Sequence, residues 1–334
     1  MRKALASTLV LAMAIAIPGS ARIAQASAAN KIRIATLAPR DTDLTRGFVR
    51  IDRALRKSTG NAWGIQLYPS GIAGDEKDVI RKMRVGQMDG SIITDTGLGQ
   101  IVREVNVLSS PGVIESYTEL ERVEAAMHKE WNDAFDKAGW KLVAWGETGQ
   151  YRYFSKQPVY TPYDLKNMRP WLWPDSHVMK EIYRVIGANG VPLQVPEVYG
   201  ALQTGMIDAI ISTCIATVAL QWHTKLDHVT KRTHGVLTGA MIMSKKKYDS
   251  IPPDVRATLE EQIKKNTEGD AKNIRKDDVK AYNKLLQRGY TATEYTPEGE
   301  KAYEKVAKEV RDHLVGRVYP KELLERVMKI AKGG

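Results

Sequence analysis

The chain has 334 residues, 43% hydrophobic and 27% charged, with 50 Lys and Arg against 39 Asp and Glu and a single Cys. That composition excludes a disordered tail, a collagen-like rod and a disulfide-stapled mini-protein. The length suits roughly two domains, each able to bury its own core. One thiol closes no intramolecular disulfide and builds no cysteine zinc site.

Residues 1–28 read as a cleaved export signal. Arg2 and Lys3 form a basic start, an apolar run extends from Ala4 to Ile17, and Pro18-Gly19 breaks it. Ala26-Ser27-Ala28 fits the small-x-small cleavage rule, with Ala24-Gln25-Ala26 as the alternative. The apolar run is shorter than the ~20 residues of a membrane span. Cys214 lies far downstream, so no lipid-anchor cysteine stands at the cleavage site. A soluble periplasmic product is expected. Subtracting Arg2, Lys3 and Arg22 of the leader leaves 47 Lys and Arg against 39 acids, a net +8. Export and dispersed lysines argue against nucleic acid as a partner. The densest basic run, Lys245-Lys246-Lys247 beside Pro252-Pro253, reads as a solvated turn.

Lys31 to Leu37 alternates as a strand. Leu44, Phe48, Ile51 and Leu55 place a helix over 41–58. Gly64 to Pro69 is a second strand, Lys77 to Val85 a helix closed at Gly86, and Asp89 to Thr94 a third strand. This β-α-β-α-β order predicts a parallel sheet flanked by helices. A helix over 119–138 and strands over 141–147 and 151–155 follow. The chain then gives a turn at Pro162 to Leu165, a helix over 177–186 and an extended stretch at 191–195. A helix over 198–204 capped by Gly205 leads into a strand at 209–212. This second series repeats the β-α-β logic, so two similar α/β lobes are expected. Residues 250–334 are helical and charged. Pro252-Pro253-Asp254 opens one helix, and Thr296-Pro297 opens another whose stripe is Tyr303, Val306, Val310 and Leu314. These helices are expected across the backs of the lobes, without chemistry of their own.

Catalytic signatures fail one by one. Gly97-Leu98-Gly99 has Val102 where a dinucleotide fingerprint needs its third glycine. There is no G-x-S-x-G, no phosphate-loop motif and no HExxH. His223 and His228 are five apart, out of register for helical metal ligands, and Asp175-Ser176-His177 cannot form a triad from adjacent positions. Cys214 sits in an apolar run as a small hydrophobe. No catalytic residue, metal set or cofactor is assigned.

The aromatics carry more information. Nine of the chain's 24 fall within residues 140–173. Trp171 and Trp173 share a face on a strand, flanked by Pro170 and Pro174, and read as the wall of an apolar pocket with the indole N–H as a polar handle. Asp95 and Thr96 end a strand and start a helix whose backbone N–H groups can meet a polar ligand group, or serve as a plain cap. Ser212 and Thr213 end another strand and should face a cleft, since open α/β sheets bind ligands beyond their strand C-termini. Trp222 reads equally as a lid or a core residue.

Five motifs in order complete the reading. They are Ile34-Ala35-Thr36-Leu37-Ala38-Pro39; Tyr68-Pro69-Ser70-Gly71-Ile72-Ala73-Gly74-Asp75; Arg84-Val85-Gly86-Gln87-Met88-Asp89; Lys156-Gln157-Pro158-Val159 with Thr161-Pro162-Tyr163-Asp164-Leu165-Lys166; and Ala201 through Asp208. Over roughly residues 31–250 the chain resembles the extracytoplasmic solute-binding proteins of TRAP transporters, the DctP-type family. The resemblance implies two α/β lobes in a periplasmic-binding-protein fold with C-terminal helices. Lobe I would hold 29–148 with about 233–275, and lobe II 149–232 with about 276–334. It implies a non-enzymatic receptor that closes on a small organic ligand and delivers it to membrane permease subunits.

Two arginines of the family's ligand site are displaced here. The position that pairs with a ligand carboxylate is Trp171, and the other is Tyr151, with Arg152 one residue on. A one-residue slip on a strand points a side chain to the other face. Arg152 and Arg169 remain the guanidiniums able to anchor an anion if the alignment shifts. Replacing a guanidinium by indole removes charge-assisted hydrogen bonds and adds apolar area, so a ligand more apolar than a C4-dicarboxylate is expected. The Met-x-Pro-Trp-x-Trp pattern at 168–173 resembles a branch with a tetratricopeptide-repeat partner and hydrophobic ligands. The alternative is an exported two-lobed α/β hydrolase or transferase.

Overall fold

The computed structural model describes residues 30–334; the expected export signal lies outside the described residues. The chain begins with β1 (Asn30–Thr36), α1 (Asp43–Ser58), β2 (Trp63–Tyr68), α2 (Glu76–Arg84), β3 (Gly90–Thr94) and the single turn α3 (Asp95–Leu98). The Thr42 hydroxyl accepts the Thr45 N–H to start α1, and Phe48, Ile51 and Leu55 form its buried stripe. The Asp75 carboxylate takes the Glu76 N–H at the head of α2. α4 (Tyr117–Lys137) then leads through β4 (Trp140–Gln150) into β5 (Arg152–Ser155), with one residue between the two strands.

The next elements are β6 (Trp171–Leu172), α5 (His177–Ile186), β7 (Val191–Pro192), α6 (Val198–Thr204), β8 (Ala209–Ser212), α7 (Cys214–Ala219) and β9 (His228–Thr230). The chain ends with β10 (Val236–Ser244), α8 (Lys245–Ser250), α9 (Pro253–Gln287), β11 (Thr291–Thr293), α10 (Pro297–Leu314) and α11 (Lys321–Lys332).

Two main sheets define two lobes. The first has strand order β2-β1-β3-β10-β4, with β1, β2 and β3 parallel and β10 antiparallel to both β3 and β4. The second has order β11-β9-β5-β8. The expected β-α-β repeat runs through β6, α5, β7, α6 and β8, with β6 parallel to β7 and Pro170 bridged parallel to Ala209 of β8, but β5 runs antiparallel to β8 and β9. The direction of β5 follows from connectivity. β5 is not returned to its sheet by a crossover helix; it arrives straight from β4 of the other lobe, and no parallel direction is imposed on it.

The chain crosses between sheets at Tyr151, at residues 231–235 and along α9. Gly149 sits at the first crossing with φ 112°, where an added Cβ would come 2.5 Å from Asp278 Oδ1.

Three expectations change. Lys245-Lys246-Lys247 forms the first turn of α8 and not a solvated turn, because the Ser244 hydroxyl caps the Lys247 N–H and Tyr248 and Ile251 bury against the first lobe's core. α9 lies along the cleft and not behind the lobes. Its Asn266 accepts from Arg50 of α1 (2.8 Å), its Arg275 pairs with Glu147 of β4 (2.7 Å), and its Asp278 accepts the Gln150 N–H (3.0 Å). α10 and α11 do pack outside, on α5 and α4 respectively. The stripe Tyr303, Val306, Val310 and Leu314 is buried as expected, yet Tyr303 and Val306 also reach the cavity wall, so this region is not free of site residues.

Candidate ligand-binding cleft

The cleft grows from the strand ends. β3 delivers Thr94, Asp95 and Thr96 from the first lobe; β5, β6 and β8 deliver Tyr151, Tyr153, Trp171, Trp173 and Ser212 from the second. Together with α9 they line a cavity of about 1440 Å³. The lobes touch across its mouth. Asp75 Oδ2 accepts the Val195 N–H at 2.8 Å, Lys77 pairs with Asp175 at 2.8 Å, and Gln100 donates to the Asp175 carbonyl at 2.8 Å.

Trp171, Trp173 and Trp222 come together as a single aromatic wall. Trp171 stacks on Trp173 with centroids 5.7 Å apart and meets Trp222 edge-on at 5.4 Å. Such pairs contribute about 0.5–1.5 kcal/mol each beyond area burial. All three rings are buried and line the cavity, so Trp222 is both core and wall. The expected indole handle is already used: Trp171 Nε1 donates to the Leu193 carbonyl at 2.8 Å. The Tyr183 hydroxyl donates to the Trp171 carbonyl at 2.9 Å, fixing the backbone as well.

Both candidate guanidiniums lie elsewhere. Arg152 alternates with Tyr151 and Tyr153 and is absent from the cavity wall. It donates to the Thr230 carbonyl at 2.8 Å and to the Lys231 carbonyl, and lies over the Tyr282 ring at 4.5 Å. Arg169 is exposed and held by Asp208 through Nε and Nη2 at 3.0 and 2.9 Å. Of the arginines on the wall, Arg46 pairs with Asp43, Arg50 donates to Asn266, and Arg275 serves Glu147 and Glu121.

The remaining predicted residues divide. Tyr151 donates its hydroxyl to Asp95 Oδ1 at 3.3 Å, and Asp95 also accepts the Thr96 N–H at 2.8 Å. The Asp95 carboxylate thus holds the next N–H of α3, while Thr94 at the cap position gives its hydroxyl to Glu76. Ser212 reaches the wall; Thr213 is fully buried off the wall, where it caps the Ala216 N–H of α7. Cys214 is buried, and burial pushes its thiol up to about 12.

Sequence reading missed Glu76 and His234. Glu76 lines the cavity while its two carboxylate oxygens take the Thr94 N–H (2.8 Å) and hydroxyl (2.9 Å). Burial, then the neighbouring Asp75 carboxylate, raises it to about 8; burial raises Asp95 to about 6. His234 is ringed by Tyr153, Tyr295 and Tyr303, and burial drives it down to about 3. Glu76 directly follows the motif that ends in Gly74-Asp75, which is its local signal; nothing local marks His234. Among the described residues no group of three or more His, Cys, Asp or Glu could hold a metal ion, and no helix is long and apolar enough to cross a membrane.

A cleft between two lobes joined by three crossings is the geometry of a receptor that closes on a solute. The family model for bacterial extracellular solute-binding proteins, family 7 (DctP), matches residues 34–316. The chain belongs to this family. Among its relatives is the C4-dicarboxylate-binding periplasmic protein DctP of Rhodobacter capsulatus, 23% identical over 94% of this chain and 93% of that protein. Another is the 2,3-diketo-L-gulonate-binding periplasmic protein YiaO of Escherichia coli, 22% identical over 70% and 72%.

The TRAP periplasmic solute-binding protein of Sulfurospirillum deleyianum, solved with succinate, shares the fold. Its TM-score is 0.83 at 19% identity, covering 91% of this chain and 99% of that one. The sugar-acid-binding protein of Advenella mimigardefordensis, solved with galactonate, superposes with TM-score 0.84 at 16% identity, over 92% and 99%. This DctP-family chain is therefore an extracytoplasmic solute receptor of the TRAP type, with the two-lobed α/β fold expected from its motifs.

Proposed function

We propose that this receptor captures a small organic ligand whose body is uncharged and more apolar than a C4-dicarboxylate, and hands it to TRAP permease subunits without catalysing a reaction. The lobes are taken as residues 29–148 with about 233–275 and 149–232 with about 276–334, α11 reaching back onto α4 of lobe I. The protein would work in the periplasm after loss of residues 1–28, and a tetratricopeptide-repeat protein is a further proposed partner.

One observation carries the ligand class. Trp171 fills the position at which the family resemblance places a guanidinium, and Arg152 and Arg169 are both committed away from the wall. A ligand carboxylate there would face indole and the Asp95 and Glu76 carboxyls, while the cationic groups of the wall, Arg46, Arg50, Arg275, Lys280 and Lys284, stand on α1 and α9. Relatives bind organic acids, which makes the distinction testable.

Thermal unfolding with 1 mM succinate, 1 mM galactonate or a saturating neutral aromatic solute decides between the classes. Ligand at about a hundred times its Kd stabilises by about 2.7 kcal/mol, several degrees for lobes of this size. The neutral solute is expected to give that shift and the two acids none. A shift of several degrees with succinate that persists in Trp171→Ala would overturn the ligand class.

A further inference from the structure

The cavity does not end at the tryptophans. It continues into lobe II between β5, α5 and α10, where Tyr153, Ile182, His234, Tyr295, Tyr303 and Val306 line it. The His234 ring packs directly on three tyrosines, 4.7 Å from Tyr153, 5.6 Å from Tyr295 and 5.2 Å from Tyr303, so the four rings form one continuous aromatic face of the cavity. Burial holds the imidazole there neutral. Arg232, stacked on the outer side at 3.8 Å from the Tyr303 ring centre, spends its charge on Glu115 and Glu300. Interiors pack to near-crystalline density, so room beside five buried side chains is not an ordinary feature of a core. The total of about 1440 Å³ exceeds the ~300–1,000 Å³ of sites for drug-sized ligands.

From this geometry we infer a second subsite: an aromatic chamber that takes the apolar tail of an elongated ligand whose other end lies against Trp171, Trp173 and Trp222. The inference rests on the apolar reading of the outer cleft, and adds that the ligand is long. Among the described residues that line the chamber none is charged, so the tail is an alkyl or aryl group. Each methylene seated there gains the transfer free energy of leaving water.

Straight-chain 1-alkanols from butanol to decanol are the probe, with Kd read by tryptophan fluorescence. Wild-type affinity is expected to rise about fourfold per methylene along the whole series. Ile182→Phe and Val306→Phe, which fill the chamber, should bind butanol and hexanol as wild type does but stop gaining beyond that length. A wild-type series that levels off by hexanol, or variants that keep the wild-type slope, would overturn the chamber while leaving the outer cleft intact. Failure of every alkanol to bind wild type would overturn both. A crystal of the wild-type protein with 10-bromo-1-decanol is independent of variant folding. The bromine's anomalous peak is expected among Tyr153, His234, Tyr295 and Tyr303, and a peak outside that ring would reject the chamber.

Discussion

Trp171 touches Trp173 and Trp222 and gives its N–H to the Leu193 carbonyl, so its ring is fixed before any ligand arrives. Trp171→Ala should cost about 3–5 kcal/mol in urea unfolding, the loss typical of a buried aromatic, and abolish binding of a neutral aromatic solute. Trp171→Phe should recover part of both. The buried ionisable groups make opposite contributions to pH dependence. Glu76 is raised from 4.5 to about 8, so it binds more protons folded than unfolded. Its contribution is full below pH 4.5 and is lost as pH rises toward 8. Glu76→Gln should remove that loss, so its stability relative to wild type climbs across the same window. His234 is lowered from 6.5 to about 3, so its contribution is full above pH 6.5 and is lost as pH falls toward 3. In His234→Phe the stability-versus-pH curve should be flatter on that acid limb; an unchanged curve would mean His234 is not the titrating group.

At the scale of elements, strand parity decides which side chains serve the site. Along the junction of β4 and β5, Tyr151 and Tyr153 face the cavity and Arg152 faces β9 and α9. Arg152→Ala should destabilise by about 1–3 kcal/mol by stripping the Thr230 and Lys231 carbonyls of a donor, with ligand Kd unchanged. Arg169 is exposed, and Arg169→Ala should cost about 1 kcal/mol or less, again without moving Kd. A tenfold loss of affinity in either variant would restore an anion clamp. Period and caps made the helices and strands legible, since a stripe such as Phe48, Ile51 and Leu55 is a local fact. Parity likewise separates Arg152 from Tyr151 and Tyr153. Pairing direction was not legible: β5 looks the same whether its neighbours run parallel or antiparallel. Nor was the course of α9, because the ties from Asn266, Arg275 and Asp278 to α1 and β4 join residues more than a hundred positions apart. Tyr303 was read as packing because a helical stripe carries no sign of a cavity beside it.

For the whole molecule, Asp75 ties one lobe to the other. Its carboxylate heads α2 in lobe I and accepts the Val195 N–H of lobe II. Asp75→Ala should shift the ligand-free protein toward an open form, seen as a larger radius of gyration in solution scattering, and ligand should reverse the change. An unaltered radius would assign Asp75 to helix capping alone. On the proposed function, this TRAP receptor holds its ligand by tryptophan and not by arginine. Native mass spectrometry of the protein purified from its own host, followed by extraction and identification of the bound species, tests it most directly. The expected result is an uncharged, largely apolar molecule that is missing from Trp171→Ala and retained by Arg152→Ala and Arg169→Ala. A small carboxylate retained by Trp171→Ala and lost from either arginine variant would contradict it.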